Sequence, residues 1–199
     1  VVAVEAGIQG PKDPDRLPYI IREAFDVATS GRPGPVVIDI PKDVQTAMIE
    51  LKPDDGQPME WKTRGKWYEQ SECNSENVKK AIKLINESVR PVIYAGGGIN
   101  ISGANKELLE FAEKIKAPVC VSLMGNGAFP SDHPYFLGMV GMHGTRSANY
   151  AVSKSDCLIA VGARFSDRVI SKVENFAPDA QIIHIDIDPA EISKNVSAH

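Results

Sequence analysis

Cysteine is scarce in this sequence, and the few cysteines are not spaced for cross-linking. The 3 cysteines in 199 residues include no CxxC pair, so neither a disulfide framework nor a ribbon-type zinc site is predicted. Cys120 and Cys157 lie inside apolar, strand-like runs, which predicts buried free thiols. This use of cysteine favours a reducing compartment such as the cytoplasm.

The sequence also lacks an excess of positive charge and any long apolar run. It has 22 Lys and Arg against 26 Asp and Glu, for a net charge of −4. A nucleic-acid surface needs clustered Lys and Arg to neutralise phosphates, so no nucleic-acid partner is predicted. No apolar run approaches the roughly 20 residues of a membrane span, and no charged segment followed by an apolar one begins the sequence. Neither a membrane protein nor a secreted one is predicted.

Recognisable catalytic or metal-binding groupings are missing as well. The sequence has 4 histidines, and His133, His184 and His199 show no metal-ligand spacing with His143 or with each other. His143, in GMHGT, is the most reactive-looking side chain, but no acid–base partner lies at a useful spacing. No Ser–His–Asp grouping is present either. We therefore predict no catalytic residue and no metal ligand in this chain, and expect His143 to flank a cofactor or line a channel.

What the sequence does contain, from Ser75 onward, is an alternation of apolar runs and helical stripes. The runs read as buried strands because they are apolar throughout, and the stripes have helical spacing. Together they predict an α/β fold, a Rossmann-like doubly wound parallel sheet covered on both faces. The predicted strands are Pro91–Ala95, Pro118–Leu123, Cys157–Val161 and Gln181–Ile185. One helix is predicted to begin at Ser75, a second after Ser102, which would cap it, and a third after Thr145.

The first part of the chain reads as a truncated α/β tail. Apolar residues from Leu17 to Ala28 recur at helical spacing, with Asp15 placed to cap the helix and Gly31 to end it. Val36–Ile40 then reads as a buried strand. One helix and one strand cannot enclose a core. We assign residues 1–45 to this tail, residues 46–74 to an interdomain linker rich in proline and aspartate, and residues 75–199 to the Rossmann-like domain.

Glycine and charged residues stand where each predicted strand ends. Ligands of a doubly wound sheet bind beyond the carboxyl ends of its strands. Arg164 could give a pyrophosphate two parallel hydrogen bonds, and Asp186 could accept the hydroxyls of a ribose. The alternative for Arg164 is an ion pair with Asp167, and for Asp186 a helix cap, although Asp188 is the better cap. The glycines could serve packing alone.

Three segments carry a resemblance to a known family: SGRPGPVVIDIPKDVQ (30–45), GMVGMHGTRSANYAVSKSDCLIAVGARFSDRV (138–169) and HIDIDPAEISKN (184–195). The second is similar to the pattern GMxGMHGTxxANxAVxxSDxLxAxGxRFDDRV of the acetohydroxyacid (acetolactate) synthase catalytic subunit. The resemblance implies the end of a pyrimidine-binding domain, followed by a central domain that binds FAD without a GxGxxG motif. Ser166 departs from the family, which has Asp at this position.

By motif, the resemblance implies a set of residues that contact FAD: Arg32, Gly96, Gly97, Gly98, Ser122, Leu123, Met124, Gly125, Val140, Gly141, Met142, His143, Gly162, Ala163, Arg164, Phe165, Asp186 and Ile187. It places a second, overlapping set along the substrate channel of the family: Lys42, Met142, His143, Asp167 and Arg168.

The reaction that the resemblance implies belongs to a larger protein. Family members decarboxylate pyruvate and condense it with a second 2-keto acid, in branched-chain amino acid biosynthesis. They use thiamine diphosphate (ThDP) and Mg²⁺, held by a glutamate and a GDG…N motif that this sequence lacks. We therefore expect a fragment, inactive alone, of a cytoplasmic or plastid subunit. The whole subunit forms homo-oligomers in this family and can bind a regulatory subunit.

Three alternatives remain at this point. Another flavin-containing ThDP enzyme, of the pyruvate oxidase or glyoxylate carboligase type, would share the central domain but differ in an acceptor pocket outside this chain. A non-catalytic nucleotide-binding module would need no further domain. The gene sequence beyond both ends of this chain would distinguish such a module from a domain of a ThDP enzyme. A sirtuin-like deacylase is suggested by AGGGINIS, but the zinc cysteines of that family are missing.

Overall fold

The computed structural model describes residues 13–29, 32–49, 74–170 and 175–199. The chain divides into two compact units, Val1–Glu72 and Cys73–His199, and each is described by itself. Among the described residues, no helix is both long and apolar enough to cross a membrane.

The first unit contains a 3₁₀ turn, Pro14–Arg16, and two helices, α1 (Leu17–Thr29) and α2 (Lys42–Thr46). The helix predicted from Leu17 onward is confirmed, but its cap is different. The capping residue is Asp13 and not the predicted Asp15. The Asp13 carboxylate accepts a hydrogen bond from the Asp15 backbone N–H at 3.1 Å and caps the 3₁₀ turn that leads into α1. The predicted helix end at Gly31 lies outside the described residues.

The strand predicted at Val36–Ile40 is wrong. These residues form no strand, and their side chains are exposed or half-buried. A strand needs a hydrogen-bonded neighbour, and no strand is present in the described residues of this unit to supply one. The described part of the tail is therefore helical, without the β element that we expected. Most of the predicted linker, from residue 50 to residue 73, lies outside the described residues.

The second unit is built on a five-stranded sheet with the order β3-β2-β1-β4-β5. All four pairs of neighbouring strands are parallel, which confirms the predicted doubly wound α/β sheet. β3 was not predicted, because it has only four residues and one of them is a glycine. The strands are β1 Pro91–Ala95, β2 Val119–Val121, β3 Phe136–Met139, β4 Cys157–Val161 and β5 Gln181–Ile185.

Helices α3 (Ser75–Glu87), α5 (Asn105–Ile115) and α6 (Arg146–Lys154) form where the apolar stripes predict them. A further helix, α4 (Gly97–Ser102), occupies the glycine-rich turn after β1. Ser102 therefore ends α4 and does not cap α5, whose N-cap is Ala104. This prediction was wrong because three successive glycines read as a turn, whereas the chain continues from them into a helix.

Alternate residues of the strands pack into two cores, one on each face of the sheet. Tyr94, Cys120 and Leu158 belong to one core, and Ile93 and Ile159 to the other. Both faces are covered, as a parallel sheet requires.

The two described cysteines are buried free thiols, as predicted. Burial raises the pKa of the Cys120 thiol to about 12. Burial, together with the charge of Asp156, raises the pKa of the Cys157 thiol to about 11. Both thiols are therefore protonated at neutral pH and are poor nucleophiles.

Away from the carboxyl ends of its strands, two contacts hold the sheet in place. At the amino ends of the strands, the Asp156 carboxylate accepts hydrogen bonds from the Ser88 hydroxyl and from the backbone N–H groups of Val89 at 2.8 Å and Arg90 at 2.9 Å. Beside β5, Ile182 N–H donates to His199 Nδ1 at 3.0 Å, and His199 N–H donates to Ile182 O at 3.0 Å.

Candidate functional site

The loops that follow the strands lie at one edge of the sheet, because all five strands are parallel. This placement confirms the prediction that the glycine and arginine loops share an edge. In the order β3-β2-β1-β4-β5, the connections run toward one side of the sheet from β1 and toward the other side from β4. The topological switch point therefore lies between β1 and β4, and such sheets bind ligands at this position. The loops are 96–98 after β1, 122–125 after β2, 140–143 after β3, 162–168 after β4 and 186–188 after β5.

The loops after β1 and β4 are in backbone contact. Gly96 N–H donates to Val161 O at 2.8 Å, and Gly98 N–H donates to Gly162 O at 3.1 Å. A Cβ added to Gly96 would lie 2.0 Å from Gly162 O, and one added to Gly98 would lie 2.7 Å from Gly162 Cα. The packing explanation therefore accounts for Gly96 and Gly98 without a ligand.

The loop after β2 packs against the same crossing. A Cβ on Gly97 would lie 2.9 Å from the Cβ of Met124, and one on Gly125 would lie 2.4 Å from Ala95 O. The Ser122 hydroxyl accepts a hydrogen bond from Gly125 N–H at 3.0 Å. The hydroxyl of Ser122 therefore caps the 3₁₀ turn Leu123–Gly125, and close backbone packing explains the glycines beside it.

The loop after β4 holds its backbone in place and exposes its arginine. The Phe165 ring is buried and contacts the rings of Tyr94 at 5.7 Å and His184 at 5.1 Å between centroids. His184 Nε2 lies 2.8 Å from Ala163 O, and Asn195 Nδ2 donates to Arg164 O at 3.1 Å. Phe165 and Ala163 are thus interior anchors, whereas the Arg164 side chain is exposed.

Asp167 does not serve as an anchor for this loop. Its carboxylate lies 4.0 Å from the Nε of Arg168, and both side chains are largely exposed. An exposed pair at that distance contributes little to stability. The ion pair that we considered as an alternative role for Arg164 therefore involves Arg168.

The loop after β3 turns sharply at Gly141, whose φ is +112°. Val140 before it is buried, while Met142 and His143 after it are exposed. Met142 N–H donates to Arg168 O at 3.1 Å, so this loop and the loop after β4 meet directly. Val140 contributes to the core, and Met142 and His143 are the members of the predicted set that a ligand could reach.

The loop after β5 contains two carboxylates, those of Asp186 and Asp188. Asp186 Oδ1 accepts from Asp188 N–H at 2.9 Å, and Asp188 Oδ1 accepts from Ala190 N–H at 3.0 Å. Residues 189–195 form turns, so the helix that either residue was expected to cap is not there. The second oxygen of Asp186 leaves the carboxylate capacity to accept from a ligand hydroxyl.

Exposed apolar side chains surround these polar groups. Leu123, Met124, Met142 and Ile187 are 69, 73, 67 and 64% exposed. Large apolar residues are exposed here on loops that follow three different strands, which is typical of a surface that binds a flat organic ligand or a partner. With the exposed Arg164 and the Asp186 carboxylate among them, the arrangement can position a nucleotide. Among the described residues, no three His, Cys, Asp or Glu side chains could together hold a metal ion.

Asparagine side chains tie these loops together, and we did not predict them. Asn100 Nδ2 donates to Met124 O at 3.1 Å and to Asn126 O at 3.0 Å. Asn149 binds Gly141, and Asn195 binds Arg164 as described above. A sequence signal exists only in retrospect: each asparagine lies inside a quoted motif, AGGGIN, HGTRSAN or EISKN.

Beside Asn149 a cavity of about 150 Å³ is lined by Val140, Asn149, Val152, Ser153, Val169, Asn175, Phe176 and Ala177.

Two of the predicted site residues belong to the first unit. Arg32 lies in the segment between α1 and α2, and Lys42 is the first residue of α2. Both side chains are exposed.

Comparison with known proteins agrees with this architecture. A sequence model of the family described as "Thiamine pyrophosphate enzyme, central domain" matches residues 78–199. The match covers the whole sheet and all of its ligand-facing loops.

Relatives at high identity extend the similarity to most of the chain. It is 57% identical over 188 residues to the probable acetolactate synthase large subunit of Methanocaldococcus jannaschii, covering 94% of this chain and 31% of that protein. It is 47% identical over 189 residues to the acetolactate synthase isozyme 2 large subunit of Escherichia coli K12, covering 93% and 32%. It is 49% identical over 187 residues to the chloroplastic acetolactate synthase 1 of Zea mays, covering 94% and 28%. The chain spans about a third of the length of these curated relatives.

Proposed function

The chain belongs to the family of thiamine pyrophosphate enzyme central domains, and from this premise we propose that it is the FAD-binding central domain of an acetolactate synthase large subunit. The names of its relatives support the choice of enzyme. The whole subunit would decarboxylate pyruvate and condense it with a second 2-keto acid. ThDP and Mg²⁺ would supply that chemistry from parts of the subunit outside this chain.

The residues at the carboxyl edge of the sheet fit FAD. Arg164 would bind the pyrophosphate, since a guanidinium offers two parallel donors to phosphate oxygens. The Asp186 carboxylate would accept from ribose hydroxyls, with Ile187 beside the adenosine. Met142 and His143 would flank the flavin, and Leu123 and Met124 would cover part of the extended cofactor. Residues 96–98 and 162–163 would form the floor of the site with their backbones.

One observation carries the proposal: an exposed arginine on a loop whose backbone is fixed from several sides. Gly162 packs against Gly98, the Phe165 ring is buried, and Asn195 holds the Arg164 carbonyl. Because the loop backbone is already fixed, only the side chain of Arg164 has to be ordered when it binds a phosphate. This arrangement favours binding of an anion by Arg164 over a purely structural role for its side chain.

FAD in this domain would be a structural ligand, because carboligation involves no net electron transfer. Arg32, on the first unit, would add a contact from the neighbouring domain, and Lys42, Asp167 and Arg168 would line the substrate channel together with Met142 and His143. We further propose that the large subunit assembles into homo-oligomers, binds a regulatory subunit, and works in the cytoplasm or, in a plant-type source, in the plastid.

Titration of FAD into the wild-type chain and into Arg164→Ala, followed by flavin fluorescence quenching, tests the proposal. A charge-assisted hydrogen bond contributes roughly 1.5–3 kcal/mol, so the variant should bind FAD about ten- to a hundredfold more weakly. Lys106→Ala is the matched control, since it removes one exposed positive charge from α5 and should leave the affinity unchanged.

The outcomes separate the parts of the proposal. Equal affinities of the wild type and Arg164→Ala would remove Arg164 from the site. An equal loss in Lys106→Ala would reduce its role to general electrostatic attraction. No binding of FAD by the wild-type chain would contradict the proposed function.

A further inference from the structure

The side chain of Asn149 binds both polar backbone groups of Gly141. Asn149 Oδ1 accepts from Gly141 N–H at 2.9 Å, and Asn149 Nδ2 donates to Gly141 O at 3.0 Å. A side-chain amide carries one acceptor and a pair of donors, so it can match a backbone N–H and C=O in this way. No aspartate, serine or alanine offers the same pair of bonds.

Asn149 is itself held in place, because the start of α6 is attached to β3. Thr145 N–H donates to Met139 O at 2.8 Å, and the Thr145 hydroxyl donates to Leu137 O at 2.5 Å. Asn149 lies one helical turn after Thr145, with its N–H bonded to Thr145 O at 3.1 Å. The amide of Asn149 is therefore fixed relative to the strand that ends just before Gly141.

Gly141 is the point at which two ligand-facing loops meet. A Cβ on Gly141 would lie 2.6 Å from Arg168 O, and Met142 N–H donates to Arg168 O at 3.1 Å. The φ of +112° at Gly141 is strained for other residues, so the conformation has to be maintained by its surroundings. Gly141 O also accepts from Gly144 N–H within the same loop at 2.9 Å, and the two hydrogen bonds from Asn149 attach Gly141 to α6.

We propose that Asn149 is a positioning residue: it locks Gly141 and so places Met142 and His143 against the flavin end of FAD. This inference rests on the proposed function. Asn149 acts through Gly141 and needs no contact with the cofactor. It follows that the loss of Asn149 should weaken binding of the flavin end of FAD and leave the adenosine and pyrophosphate end unaffected.

The test compares FAD with ADP, which carries the adenosine and pyrophosphate of FAD without the flavin. Affinities of both for the full chain are measured by calorimetry for the wild type, Asn149→Ala and Asn149→Asp. Asn149→Asp preserves size but sets a carboxylate oxygen against Gly141 O. Ser153→Ala is the matched control, since it removes a hydroxyl from the same helix that bonds only to Tyr150 O. Amide exchange of Gly141 and Met142 is measured without ligand.

We expect both Asn149 variants to bind FAD about tenfold more weakly, the equivalent of one or two lost hydrogen bonds. ADP affinity should stay within about twofold, and the Gly141 amide should exchange at least about tenfold faster. Ser153→Ala should match the wild type in every measurement. These results together would support the positioning role.

Three results would overturn it. Unchanged FAD affinity in both Asn149 variants, with normal binding by the wild type, would refute this inference alone. An equal loss of FAD and ADP affinity would mean that Asn149 supports the fold in general and not the flavin end. Absence of FAD binding by the wild type would refute the proposed function and, with it, the flavin part of this inference.

Discussion

At the scale of single residues, Asp156 joins two turns at the amino ends of the strands. Burial raises the pKa of its carboxyl. The hydrogen bonds from Ser88, Val89 and Arg90, together with the charge of Arg90, lower that pKa by more, so the net shift is downward. A carboxyl whose pKa is lower in the folded state stabilises the fold above its unfolded pKa of about 4. That contribution is lost as the pH falls through the lower, folded value.

Asp156→Asn should therefore lower the free energy of unfolding at pH 7 by about 1–2 kcal/mol, a modest value because the site is partly screened by solvent. The difference from the wild type should begin to shrink below about pH 4, where the carboxyl of the unfolded chain becomes protonated, and should disappear as the pH falls through the lower, folded pKa. Urea denaturation across pH 3–7 measures this, with the exposed Asp132→Asn as the control. A difference that does not depend on pH would mean that the charge of Asp156 is not involved.

Gly96 is a second residue whose identity has a measurable consequence. A Cβ there would overlap Gly162 O, which is backbone and cannot rotate away. Gly96→Ala should cost about 3 kcal/mol in unfolding free energy, because the β1 and β4 loops must separate. Gly103→Asn is the control, since Gly103 has a φ of +70° in open space, and asparagine tolerates that region. Similar costs for the two variants would argue against the close contact.

At the scale of secondary-structure elements, α6 depends on its first turn. The Thr145 hydroxyl accepts from Ala148 N–H at 3.1 Å and also donates to Leu137 O, so one side chain caps the helix and attaches it to β3. Thr145→Val, which preserves shape, should lower the unfolding free energy by about 1–2 kcal/mol. Thermal denaturation measures this against Ser153→Ala. A change no larger than in that control would show that the cap contributes little.

Much of the sheet could be predicted from the sequence, because the central strands are apolar throughout. The predicted ends of β1, β4 and β5 agree with the structure at every residue. Val36–Ile40 is apolar at four of its five positions but forms no strand, since strand formation depends on neighbours that composition does not reveal. β3 was missed for the opposite reason: it pairs with β2 although it has only four residues and one of them is a glycine.

The edge that carries the candidate site was predictable, but the contacts that shape it were not. Strand ends locate the loops, and charge identifies Arg164 and Asp186. The bonds from Asn100 to Met124 and from Asn195 to Arg164 connect residues 24 and 31 positions apart. Such pairs depend on the folded path of the chain, so no local pattern announces them.

At the scale of the whole molecule, the first unit exposes an apolar helix face. Phe25 is 65% exposed and Ile21, one turn before it, is 38% exposed, while Ile20 of the same helix is buried. Exposed apolar area of this kind favours association, so we expect the chain by itself to self-associate through α1. Sedimentation velocity should show concentration-dependent oligomers for the wild type and a shift toward monomer for Phe25→Glu. A monomeric wild type at all concentrations would contradict this expectation.

The pairing of His199 with Ile182 has a consequence for how copies of the second unit behave when crowded. In a parallel ladder, alternate residues of an edge strand direct their N–H and C=O groups outward, where a strand from another molecule could add. Ile182 offers both groups, and His199 satisfies both. At Ile182, β5 therefore cannot pair with a strand from another molecule unless the segment around His199 first detaches. The barrier to such growth is the local opening of that segment, which makes the contact a kinetic safeguard of solubility as well as a source of stability.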